Sequence, residues 1–244
     1  MSVDAHCHVD LHRDPASVVR SAVISGLKIV AVTTTPAAFK GSSRFSDVSN
    51  GVWPALGMHP EVVGTRRKDV ALFAKYVEEV DWVGEIGLDG SARFRGFWDD
   101  QVAVLEQVLG VCSEVGGKVL SIHSRAASAK VIELLSQFPD AGIPVFHWFS
   151  GQIAEVDAAL RMGAFFSVNY QMLRTASGKA IARRIPLDRL LTESDAPFAA
   201  WDNKSVVEQI HACEQELASI LKCSQVHVVK TVSENFENLS AQKR

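Results

Sequence analysis

Six side chains able to hold a divalent cation stand at the polar ends of short apolar runs. His6 and His8 lie two apart in Val-Asp-Ala-His-Cys-His, a spacing that puts both on one face of a strand, with Asp4 one step earlier on that face. Glu85 sits in Gly84-Glu85-Ile86-Gly87-Leu88-Asp89, His123 opens His-Ser-Arg, His147 opens His-Trp-Phe-Ser-Gly, and Asp195 sits in Glu193-Ser194-Asp195-Ala196-Pro197. One His-x-His pair is a weak signal, whereas a ligand type at five run ends at once is a strong one. Six nitrogen and carboxylate donors exceed what a single tetrahedral ion needs when a position must stay open to water, and they suit two cations roughly 3.5–4 Å apart. The expected arrangement has His6, His8 and Asp195 on one ion, His123 and His147 on the other, and Glu85 bridging. A water between the ions would attack a phosphoryl or carbonyl centre, and Asp195 would accept its proton. The imidazoles favour zinc or manganese, and the carboxylates also admit magnesium.

Such a site needs its donors brought to one place. Strands are expected at Val3–His8, Ile29–Thr33, Val52–Leu56, Trp82–Ile86, Val119–His123, Val145–His147, Phe165–Val168 and Leu190–Thr192. Helix-period stretches fall between and after them, at Ala16–Ser25, Asp69–Glu79, Trp98–Val115, Ser128–Phe138, Ile153–Arg161, Gly178–Ile185, Val206–Leu221 and Val226–Phe236. Eight repeats in 244 residues give about 30 residues each, the size of a compact (β/α)8 TIM barrel in the α/β class, so residues 1–244 read as one hydrolase domain. A doubly wound open sheet would place a Gly-rich loop after its first strand, where this chain has His-Val-Asp-Leu-His-Arg-Asp. In a barrel the carboxyl ends of all strands meet at one mouth, which would gather the six donors.

The composition, 47 % apolar and 22 % charged, is that of a globular protein with a sizeable core, and excludes a disordered chain or a coiled coil. A net charge of -3 provides no global basic field, so an anion site has to be local. The expected mouth loops provide one, with eleven Lys or Arg against seven Asp or Glu: Arg13, Lys40, Arg44, Arg66, Arg67, Lys68, Arg93, Arg95, Arg125, Arg174 and Lys179. Aromatic residues share the mouth, and Tyr170 and Trp201, with polar neighbours, are better base-stacking candidates than the core-like Phe97 and Phe149. His59 and Arg125 follow the third and fifth strands and are expected to contact a phosphate, with a structural salt bridge as the alternative for Arg125. Glu193 would orient a metal-bound histidine or close the barrel floor. Four cysteines without a CxxC pair indicate reduced thiols, and no run nears 18 apolar residues, so a cytoplasmic protein outside the membrane is expected.

The set HxH, Gly57-Met58-His59-Pro60, GEIGLD, IHSR, HWFSG and ESDAP, in this order, resembles the TatD family of metal-dependent deoxyribonucleases within the amidohydrolase superfamily. The resemblance runs to Glu234-Asn235-Phe236-Glu237-Asn238-Leu239, which is similar to the family's terminal Asn-containing helix. It implies a TIM barrel with two divalent ions at the six positions, cutting DNA phosphodiesters, often from single-stranded 3′ ends. The chain departs from the family pattern at Gly90, at Ala126 and in a shortened stretch after Pro197, all of which bear on substrate placement. That compactness resembles TatD-like nucleases of bacterial anti-phage defence (the Qat system), which would imply protein partners. The competing readings are a metal-dependent amidase, lactonase or phosphotriesterase on the same barrel, and a partner-dependent subunit whose metals serve structure.

Overall fold

The apolar runs form eight strands: β1 Val3–Cys7, β2 Lys28–Ala31, β3 Val52–Leu56, β4 Trp82–Gly87, β5 Val119–His123, β6 Ile143–His147, β7 Phe165–Val168 and β8 Leu190–Thr192. The structure, a computed structural model, describes residues 1–241; residues 242–244, the end of the expected unit, lie outside the described residues. Each strand pairs in parallel with the next, in the order β1 to β8. The seam between β8 and β1 is closed by Thr192 Oγ1 donating to Val3 O (2.6 Å), Asp195 N to His6 O (2.9 Å) and His8 N to Ala196 O (2.9 Å). Helices α1 Pro15–Ser25, α2 Pro36–Ser42, α3 Val63–Arg66, α4 Val70–Tyr76, α5 Trp98–Val115, α6 Ser128–Gln137, α7 Ile153–Arg161, α8 Tyr170–Leu173, α9 Ala176–Arg184, α10 Val206–Leu221 and α11 Gln225–Ala241 accompany the strands. With helices outside and side chains filling the interior, the strands are buried on both faces, which is why they read as nearly continuous apolar runs. No helix among the described residues is long and apolar enough to cross a membrane.

The last helix ties the barrel shut. Phe236 of α11 stacks on Trp82 of β4 with ring centres 5.6 Å apart, and Asn235 donates to Leu187 O (2.9 Å) and Leu190 O (2.8 Å) at the start of β8. The structure differs from the sequence reading mainly in the segments expected to be open loops. Residues 35–50 contain α2, opened by Thr35, whose hydroxyl accepts from Ala38 N, and by Pro36 in the first turn; residues 169–179 contain α8, capped by Asn169. These are ordinary N-cap signals in front of helices too short to show a period. The first strand stops at Cys7, so His8 lies beyond it, and the β1/β2 register slips between Asp4 and Cys7. A second slip, between Val83 and Ile86, brackets Glu85 in β4. Bulges of this kind re-aim side chains beside functional sites.

One backbone crossing sets the position of β4. Thr33, just past β2, bonds across to β4: Thr33 N donates to Gly84 O (3.0 Å) and Glu85 N donates to Thr33 O (3.0 Å). The intervening chain is Gly57, where a Cβ would stand 1.7 Å from Thr33 O and 2.6 Å from Glu85 N. Gly57→Ala is therefore expected to destabilise the fold by about 2 kcal/mol or more, the cost of overpacking against backbone that cannot yield. Gly96→Ala, with nothing within 4 Å of the added methyl, is the control. Equal denaturation midpoints for the two variants would contradict this role for Gly57.

Candidate metal centre

The carboxyl ends of β1, β4, β5, β6 and β8 deliver the six donors to one buried cluster at the mouth. Glu85, 2 % exposed, is its centre, and its two oxygens face different partners. Oε2 lies 3.2 Å from His8 Nε2 and 3.4 Å from His6 Nε2, and Asp195 Oδ1 completes that side at 3.6 Å and 3.7 Å from the same two nitrogens. Oε1 lies 2.8 Å from His123 Nδ1, 2.8 Å from His147 Nε2 and 3.0 Å from His59 Nε2. Among the described residues three groups could hold a cation, His6 with Glu85 and His147, His6 with His8 and Asp195, and His59 with Glu85 and His123. His59, expected only to touch substrate, stands inside the cluster.

The outer nitrogen of each ring decides what its inner nitrogen can do. His6 Nδ1 is 2.7 Å from Ser121 Oγ, His123 Nε2 is 3.0 Å from Asp89 Oδ2, and His147 Nδ1 is 3.7 Å from Glu193 Oε1. Hydrogen-bond partners at the outer nitrogens of His6 and His123 let those nitrogens keep a proton, so that the inner nitrogens can turn to a cation once they give up theirs, while Glu193 stands beyond hydrogen-bond distance of His147. His59 is reversed: Glu61 N donates to its Nδ1 (3.1 Å), which leaves the proton of the neutral ring on Nε2, aimed at Glu85. Four rings fit a cation, namely these three and His8, whose Nε2 lies 3.3 Å from that of His6. Two imidazole nitrogens at that distance can share a proton or face one cation. The fifth ring, His59, is a hydrogen-bond donor.

The electrostatics follow from burial and this crowding. Burial would raise Glu85, but the neighbouring His59, His147 and His6 and the His123 hydrogen bond hold it well below the usual carboxylate range. Burial opposes charge on His147 and His123, yet Glu85 acting on the first, and the Asp89 and Glu85 hydrogen bonds on the second, keep both above the usual imidazole range. His6 is pushed well below that range by burial and by His147, and His59 is lowered by burial. Burial lifts Asp195 to about 7 and Asp4 to about 7. Asp4 does not join the cluster; it accepts from Ser194 N (2.8 Å) and Ser194 Oγ (2.5 Å) across the β8/β1 seam, beside Asp195.

Glu193 faces inward, accepting from Trp148 N (3.0 Å), from Asn169 Nδ2 (3.0 Å) and from Ser167 Oγ, while facing His147. Asp89 was part of a quoted motif without an assigned role; its place three residues past β-strand burial at Ile86 was the available signal. Arg125 is exposed and forms no ion pair among the described residues, so the salt-bridge alternative is not what the structure contains. The cationic excess of the mouth is smaller than the sequence count, because Lys40 pairs with Glu79, Arg67 with Asp100 and Lys179 with Glu216, acids outside the counted loops.

A metal-free chain that keeps protons on His147 and His123 has to release them when a cation binds. Zinc or manganese added to chelator-stripped protein should raise Tm and release protons. Because both groups are held above the usual imidazole range, affinity should weaken as pH falls, beginning above that range. Calorimetry in buffers of different ionisation enthalpy measures this, and pH-independent binding without proton release would contradict the arrangement.

A family model described as TatD-related DNase matches residues 3–240. Human deoxyribonuclease TATDN3 is 28 % identical over 255 residues, covering 96 % of this chain and 92 % of its own. The 3′-5′ ssDNA/RNA exonuclease TatD of Yersinia pseudotuberculosis is 28 % identical over 204 residues, covering 78 % of this chain and 76 % of its own. The solved structure of YJJV, a TatD homologue from Escherichia coli, shares the fold with a TM-score of 0.87 at 22 % identity, over 98 % of this chain and 97 % of that one. With a match across nearly its whole length and a buried histidine and carboxylate cluster at the barrel mouth, this chain belongs to the TatD-related DNase family and is a metal-dependent hydrolase of that type.

Proposed function

We propose that this protein is a two-cation deoxyribonuclease that shortens DNA from single-stranded ends. The observation that carries the reading is the division of Glu85, with Oε2 toward His6 and His8 and Oε1 toward His123 and His147. Two cations held by His6, His8, Asp195, His123, His147 and the bridging Glu85 would polarise phosphoryl oxygens and make water acidic enough to attack at neutral pH. Zinc and manganese suit the imidazoles, and magnesium suits the carboxylates.

The chain's own groups do the rest. Asp195 accepts the proton of the attacking water, as the bond from phosphorus to the departing sugar oxygen breaks. His59 presents its Nε2 proton at the same mouth, where it can donate to a phosphate oxygen once Glu85 is engaged by cations. Arg125, without an ion pair among the described residues, pairs with a phosphate oxygen, and Arg93 and Arg95, likewise without one there, extend that cationic side. Asp89 and Ser121 hold the imidazoles of His123 and His6 in the orientation and tautomer that binding requires. The names of the human and Yersinia relatives, a deoxyribonuclease and a 3′-5′ ssDNA/RNA exonuclease, support a nucleic-acid substrate. The amidase, lactonase and phosphotriesterase readings are less well supported, because the bridging position common in that branch is a carboxylated lysine and here is Glu85.

Free thiols at Cys7, Cys112, Cys213 and Cys223 support a cytoplasmic setting. The short stretch after Pro197 supports a mouth with room for a protein partner, and the resemblance to compact TatD-like proteins of anti-phage defence suggests which kind.

Cation-loaded wild type is expected to produce a ladder of shortened products from end-labelled single-stranded DNA. Glu85→Ala and Asp195→Asn should each lower the rate by a factor on the order of 10² or more while leaving the fold intact by circular dichroism. Intact DNA beside cleavage of a carboxylic ester or lactone would replace the nuclease reading by the amidase and lactonase one. Full activity in Asp195→Asn would remove Asp195 as proton acceptor.

A further inference from the structure

The mouth holds an exposed aromatic ring that the fold does not use. Phe198 directly follows the Asp195-Ala196-Pro197 turn, is 65 % exposed, and sets its ring at 87° to that of His8 with centres 5.0 Å apart. It touches the cluster and leaves most of its surface to solvent. The aromatics favoured from sequence are placed differently: Tyr170 and Trp201 stack on each other, centres 4.4 Å apart, so each already has a partner on one face. Phe39, Phe94 and Phe149 are buried, and Phe97, though 44 % exposed, packs against Gly64 and has no ring contact with the cluster among the described residues. A lone exposed ring is ordinary on a protein surface; this one is set apart by standing against His8 of the buried cluster, where an entering base would meet its open face.

Charge at the mouth is distributed to match. Phe198 and His8 stand on the Oε2 side of Glu85, beyond Asp195. Arg125, at the end of β5, and Arg93 and Arg95, in the segment after β4, stand on the Oε1 side, where Gly90 N bonds Arg125 O (2.9 Å) and His123 meets Asp89. One flank offers an open π-face, and the other offers cations for phosphates. A nucleotide combines those two chemistries in one unit, which distinguishes it from a simple phosphate ester.

We propose that Phe198 is the stacking platform for the nucleobase next to the scissile phosphate, with the sugar-phosphate chain running toward Arg125. The proposal rests on the nuclease reading above and adds a preference for a base at that position without choice among bases, since every base has a π-face. Phe198 acts by positioning and touches no reacting atom.

The test uses two cation-loaded substrates, an end-labelled single-stranded oligonucleotide and the same oligonucleotide whose terminal residues lack bases, cut by wild type, Phe198→Ala and Phe198→Trp. Wild type should prefer the base-bearing end; in Phe198→Ala the ratio of kcat/KM values should fall roughly tenfold, mainly through KM, and Phe198→Trp should keep it. If Phe198→Ala changes both substrates by the same factor, Phe198 serves only to place His8, and the proposal fails. An unchanged ratio and rates in Phe198→Ala also overturn it. Wild type that leaves both oligonucleotides intact removes the nuclease reading itself, a result distinct from wild type that cleaves both with no response at Phe198.

Discussion

A carboxylate buried to 2 % exposure and surrounded by five imidazoles is the feature around which this molecule is arranged. Removing such a charge from water is costly unless it is paired and hydrogen-bonded on every side. For Glu85 the pairing comes from strands at several positions around the barrel, so the closed sheet has to exist before the carboxylate is satisfied. Its backbone is held equally firmly. Glu85 N donates to Thr33 O and Met58 N donates to Glu85 O (2.9 Å), with Gly57 lying between because no side chain fits there.

The layer behind the imidazoles gives five similar rings two different jobs. Ser121 and Asp89 meet the outer nitrogens of His6 and His123, which can keep a proton there and turn their inner nitrogens to a cation. The backbone N–H of Glu61 presents a donor to His59 and turns a proton inward. His59 is thus set apart from His6 and His123 by the atom its far side meets. The β8/β1 seam works in the same way. Asp4 holds Ser194 while Asp195 N holds His6 O, so the closure of the barrel and the placing of the last carboxylate are one set of bonds.

Much of this was legible in the sequence because a barrel converts strand order into proximity. His6, His8, Glu85, His123, His147 and Asp195 each end or follow an apolar run, and the structure brings all six together. β3, β5, β7 and β8 occupy the expected residues, and the eightfold alternation of strand and helix stretches pointed to the barrel. What was not legible depends on distant partners or on a tautomer set by the backbone. The salt bridges of Arg67 with Asp100 and of Lys40 with Glu79 reduce the apparent positive charge of the mouth, and no local pattern announces them. The stacking of Tyr170 on Trp201 joins α8 to the segment after β8 and occupies both rings. The inward proton of His59 depends on one backbone N–H two residues on, a tautomer that residue type cannot reveal.

The central claim is that two cations straddle Glu85. Anomalous diffraction from crystals of the manganese- or zinc-loaded protein tests it directly. The account predicts two peaks roughly 3.5–4 Å apart, one beside Oε2 with His6, His8 and Asp195 and one beside Oε1 with His123 and His147, with His59 coordinating neither. A single peak, or a peak coordinated by His59 Nε2, would contradict it.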